Sequence, residues 1–130
     1  SDYETALAPA LEVAEMSESG DGYDTYGYLH YVMRNYQEAA DAFQMAIDKG
    51  NLSNRADTLL FLARALIELD DFEGAKDAAT QSADAGGESE RRSATDYITF
   101  IESTESRFNI IAERRQDAID FYEPYPSLID

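Results

Sequence analysis

The sequence contains no cysteine and no tryptophan, one histidine, three prolines, and ten lysines and arginines against 27 aspartates and glutamates. Each scarcity removes a class of chemistry. Without cysteine there is no disulfide, no thiolate metal site and no thiol nucleophile. His30 has no second histidine with which to hold zinc, so no His-x-x-x-His pair exists, and Gly-x-Ser-x-Gly is missing too. Glycine motifs that cradle phosphate are absent. The shortage of basic residues leaves a formal net charge of −17. Such a surface repels phosphate backbones and anionic lipid, which argues against a nucleic-acid partner or a lipid-surface role. No apolar run reaches the roughly 18 residues a membrane span needs, so no insertion is expected. Neither an enzyme nor a cofactor site is expected from this inventory.

What is present is a repeat. The chain has 130 residues, 44% hydrophobic, enough for one domain with a modest core. The blocks beginning Asp2-Tyr3-Glu4-Thr5-Ala6, Asn35-Tyr36-Gln37-Glu38-Ala39 and Asp71-Phe72-Glu73-Gly74-Ala75 share one pattern: Asp or Asn, aromatic, Glu or Gln, any residue, Ala. Their aromatics lie 33 and 36 residues apart. Each block continues with helical spacing, as in Ala39, Ala42, Phe43, Ala46 and Ile47. The intervening segments have a helical period of their own, carried by Tyr23, Tyr26, Gly27 and His30, and by Leu59, Leu62, Ala63 and Leu66. Gly20 with Gly22, Gly50 with Asn51, and Gly86 with Gly87 separate them and are expected to supply positive φ at helix ends. These signals predict helices over 2–18, 22–34, 36–49, 54–69, 72–85 and 89–102, with no strand. The rest of the sequence leaves two options, one long helix over 89–122 or two helices that break near Ser103. Pro124 and Pro126 are expected to stop it.

This spacing resembles the tetratricopeptide repeat, a pair of antiparallel helices per roughly 34 residues. The small residues of that pattern are matched by Gly27 and Ala63, by Ala39 and Ala75, and by Ala46 and Ser82; its aromatic is matched by Phe43. Ala79 departs from the pattern, tryptophan is absent and no proline closes either repeat. The resemblance implies an all-α fold of stacked helix-turn-helix repeats, an α-solenoid. Residues 2–18 would form the second helix of a truncated repeat, 20–53 and 54–87 two complete repeats, and 88–130 a C-terminal helical extension. On this reading the chain is a piece of a longer protein. The stretches around Asp48-Lys49-Gly50-Asn51-Leu52, Leu59–Leu66 and Arg91-Arg92-Ser93-Ala94 are also similar to the C-terminal part of tetratricopeptide proteins associated with TonB systems of Gram-negative bacteria. That likeness implies a periplasmic, non-enzymatic accessory of a TonB-dependent transport system. The alternatives are a generic cytoplasmic adaptor in a multiprotein complex and a small helical hydrolase or ligand-binding domain.

In that repeat family one face of each first helix lines a concave groove for partner segments. The resemblance therefore assigns a partner-binding groove to Asp24, Tyr28, Tyr31, Asp57, Leu60 and Arg64. Tyrosine suits such a surface, being rigid and tipped with a hydrogen-bonding group. Residues 1–33 hold seven acidic side chains and no lysine or arginine, so the expected partner is a protein or peptide of basic character. Phe100, Phe108, Ile110, Ile111, Phe121 and Tyr122 supply more apolar surface than one helical stripe needs. The segment 108–122 is thus expected to dock back onto the stack or to form a homo-oligomer contact.

Overall fold

The computed structural model describes residues 1–122, which form helices and no strand. In chain order the helices are α1 (Asp2–Met16), α2 (Asp21–Val32), α3 (Tyr36–Lys49), α4 (Arg55–Glu68), α5 (Phe72–Ala85) and α6 (Glu88–Tyr122). The expected all-α class holds. Pro124 and Pro126 lie outside the described residues. Side chains cap several starts and satisfy amides that have no partner within the helix. Ser1 and Glu4 form a reciprocal capping box on α1, Asn54 accepts from the Asp57 amide at 3.1 Å, and Asp71 accepts from the Gly74 amide at 2.9 Å.

Two turns repeat. Between α2 and α3, Arg34 has φ 64° and the Asn35 amide donates to the His30 carbonyl at 2.9 Å. Between α4 and α5, Asp70 has φ 60° and the Asp71 amide donates to the Leu66 carbonyl at 3.0 Å. The left-handed residue, the backbone bond spanning five residues and the next helix start all recur 36 positions on. Such a turn reverses the chain within a few residues, so consecutive helices run antiparallel.

Each helix packs chiefly on its neighbours in sequence, and lighter contacts join α2 to α4 and α4 to α6. The result is a helical-repeat-like all-α stack with α2, α4 and α6 aligned along one side. Alanines let the helices approach: Ala39, Ala63, Ala65, Ala75 and Ala79 are fully buried, and Phe43, Leu59 and Ile101 fill the space between. Full burial of a side chain of that size contributes about 1.5–3 kcal/mol. Polar bonds tie one helix to the next. The Ser82 hydroxyl donates to the Ala56 carbonyl at 2.6 Å, Thr58 donates to Asp24 at 3.0 Å, and Lys49 reaches the Ala14 carbonyl at 3.0 Å.

Three expectations need correction. The glycines at the helix junctions are needed mainly for space: only Gly50 has positive φ, at 79°. Gly20 and Gly86 have φ of −75° and −98°. A Cβ on Gly22 would lie 2.7 Å from the Ala14 Cα. Asn51, beside Gly50, is left-handed as expected, and the remaining left-handed positions are Arg34 and Asp70, which were not expected. Second, the helix placed over 89–102 does not end there: of the two options for this region the single long helix is the one found, α6 running unbroken from Glu88 to Tyr122. The polar run at 102–107 stays helical: Thr104 bonds back to the Phe100 carbonyl at 2.9 Å, and Glu105 holds Lys76 of α5 at 3.0 Å. Third, residues 109–122 do not fold back. Phe108 meets Phe72 with ring centroids 5.2 Å apart, and every residue from Ser106 to Tyr122 is exposed.

Candidate interaction groove

The side shared by α2, α4 and α6 carries a run of aromatic rings around one guanidinium. On α2, Tyr28 is 47% exposed and meets Phe61 of α4 edge-on, with centroids 5.6 Å apart. Tyr31, one helical turn on, also meets Phe61 edge-on at 5.8 Å and Tyr36 at 5.7 Å. Phe61 is held from behind by Phe43, stacked at 5.8 Å. Arg64 lies one turn beyond Phe61 on α4, so its guanidinium covers that ring at 5.1 Å. On its other side it faces Tyr97 of α6 at 5.7 Å. Tyr97 in turn stacks on Phe100 at 5.4 Å.

Two depressions flank Arg64. The larger, about 460 Å³, is lined by Tyr31, Arg64, Glu68, Asp70, Tyr97 and Phe100, among others. The smaller, about 290 Å³, is lined by Asn54, Asp57, Leu60, Arg64, Glu90 and Ser93, among others. The larger has aromatic and apolar walls with Glu68 and Asp70 among its lining, and the smaller is lined mostly by polar side chains, Asp57 and Glu90 included. Burial pushes the Tyr97 phenol up to about 12, an effect the Tyr31 hydroxyl reinforces and Arg64 opposes. Burial likewise raises Tyr31. Both phenols therefore remain protonated hydrogen-bond donors at neutral pH.

The structure sorts the six groove residues read from the sequence. Tyr31 and Arg64 line one depression; Asp57, Leu60 and Arg64 line the other. Leu60 is only 7% exposed, so it forms floor and not anchor. Asp24 already holds the Thr58 hydroxyl. Burial raises its pKa, and the Asp57 and Asp21 carboxylates add to the effect. Tyr28 is held edge-on by Phe61 beside the depressions. Phe61, Tyr97 and Phe100 complete the groove without having been singled out for it. Phe61 with Arg64 and Tyr97 with Phe100 are each one turn apart, which is the signal that could have found them.

His30 serves the α2–α3 turn. It is buried, meets Tyr26 edge-on at 4.7 Å, and its Nδ1 pairs with the Asn35 side-chain nitrogen Nδ2 at 3.2 Å. Among the described residues no group of three or more His, Cys, Asp or Glu side chains is placed to hold a metal ion, and no helix is long and apolar enough to cross a membrane. No family model and no curated protein matches this chain.

Proposed function

We propose that this chain is a non-catalytic interaction scaffold of tetratricopeptide type, whose groove takes a protein or peptide segment of basic character. The single observation that carries the reading is the line of Tyr28, Phe61, Arg64 and Tyr97 along α2, α4 and α6, rimmed by Asp57, Glu68 and Asp70. Aromatic rings fixed by neighbours give contact area at little entropic cost, and the carboxylates favour Lys or Arg in the bound segment. The 36-residue recurrence of the turn and of its small contact residues supports the repeat type.

Selection from a displayed peptide library tests it. Basic segments with apolar side chains should be enriched, with binding that weakens as salt is added and falls roughly ten-fold or more in Tyr97→Ala. Enrichment of acidic segments, or binding indifferent to Tyr97→Ala, would sink the reading. A periplasmic setting beside a TonB-type complex is the part of the proposal that rests on the finer resemblance. Fractionation of cells carrying the full-length gene checks it, and an exclusively cytoplasmic pool would replace it with a cytoplasmic adaptor.

A further inference from the structure

Beyond Phe108, α6 continues the seam that seats it on the stack, and among the described residues every side chain of that stretch is exposed. The buried positions Ala94 and Ile101 are followed at helical spacing by Phe108, Ile111, Arg115 and Tyr122, all exposed. Phe108, Ile111, Ala112, Arg115, Gln116 and Ile119 border a shallow apolar depression of about 370 Å³. Charge is sorted around the same stretch. On a 3.6-residue turn, Arg107, Arg114 and Arg115 fall on the half that carries Phe108, Ile111 and Phe121, whereas Glu113, Asp117 and Asp120 fall on the other half. A basic, apolar face thus projects from an acidic body.

The complementary face belongs to α1. Its outer side exposes Val13 (62%) and Met16 (80%) beside Glu12 and Glu15, in the stretch that holds no Lys or Arg at all. α1 packs on α2, at the opposite end of the helix order from α6, with the other four helices between them. We propose that copies of this chain associate head to tail, the Arg-bearing face of α6 beyond Phe108 docking on the outer face of α1 in a second copy. The charges favour this occupant over tail-on-tail pairing. Two tails packed on each other would set the Arg107, Arg114 and Arg115 flank against its own equivalent, whereas α1 offers Glu12 and Glu15 to those arginines. A head-to-tail contact does not close on itself unless a ring forms, so assembly continues past the dimer.

Sedimentation velocity on the whole chain tests this. The average mass should climb past the dimer with concentration and fall back as salt rises from about 20 to about 500 mM. Arg114→Glu with Arg115→Glu, and separately Glu12→Arg with Glu15→Arg, should each leave a helical monomer by circular dichroism, with association weakened roughly ten-fold or more. Mixing the two variants should restore assembly, since each tail then meets a face of opposite charge. Ile111→Asp, at an exposed position, should also abolish association. A chain monomeric at every concentration, a dimer indifferent to Glu12 and Glu15, variants that fail to rescue one another, or monomers that bind phosphatidylglycerol vesicles instead would each overturn the proposal.

Discussion

The α2–α3 and α4–α5 hairpins make the same turn and the same close approach with different volumes. In the first, Gly27 faces Phe43: a Cβ on Gly27 would sit 2.9 Å from the Phe43 ring. In the second, the positions 36 residues on are Ala63 and Ala79, both fully buried. One hairpin pairs nothing with a ring, and the other pairs a methyl with a methyl. Ala79 shares its core with Ile101 of the next helix, which is fully buried there. The shared geometry thus rests on the two contact residues together with the side chains of the next helix, and neither identity alone is required.

Copying the large partner into the wrong hairpin should break this equivalence most severely. Ala79→Phe should destabilise by about 3 kcal/mol in urea unfolding, since Ala63 lacks the space Gly27 leaves. Adding Ala63→Gly should recover about 1 kcal/mol or more, and a strictly additive double variant would show the pair is uncoupled. Next comes the crossing itself. Ala39→Leu and Ala75→Leu should each cost about 1–3 kcal/mol by overpacking, and wild-type stability in either would mean the two positions are not equivalent. Gly27→Ala should cost about 1 kcal/mol net, because better helix propensity offsets part of the clash with Phe43.

Finer differences between the hairpins are also measurable. Ser82 bonds the Ala56 carbonyl, whereas its counterpart Ala46 has no hydroxyl, so Ser82→Ala should cost about 1 kcal/mol. The smallest effect is a pH dependence that separates two aspartates on one helix. Hydrogen bonds from the Ser53 hydroxyl and amide hold Asp21 below the usual carboxylate range. Its contribution is present above the ordinary pKa and is lost as pH falls through the lowered one. Burial raises Asp24, so the folded state gains stability as pH falls through that raised value and loses it again as pH rises. Between about pH 5 and pH 3, Asp21→Asn should therefore lose less stability than wild type and Asp24→Asn should lose more. Identical profiles for the two variants would show that neither carboxylate is perturbed.

The helices were legible because local signals agreed. Repeated block starts such as Asn35 and Asp71, breakers such as Gly50, and alanine spacing all marked the same boundaries, and 36–49 and 72–85 coincide with α3 and α5. What could not be read depended on partners distant in sequence. Gly20 and Gly22 looked like residues chosen for backbone freedom, but they are small because α3 and α1 pass close by. The polar run at 102–107 looked like a break because Lys76, which holds Glu105, lies on another helix. In the groove, Arg64 and Tyr31 were assigned by the resemblance to the repeat family. Tyr97 was missed there because only the α4–α6 contact brings it to Arg64.

The stack's main contacts join helices adjacent along the chain, and the consequence is kinetic. Little loop closure has to precede a rewarding contact, which is the condition for folding in microseconds to milliseconds. A hairpin such as α4–α5 can form first and recruit α3 and α6 on either side, with no distant strand to wait for. The same locality governs opening. Amide exchange should be slowest in α4, where Leu59, Leu62, Ala63 and Ala65 are all buried, and fastest in α1 and the far part of α6, so that the molecule unzips inward from its two ends.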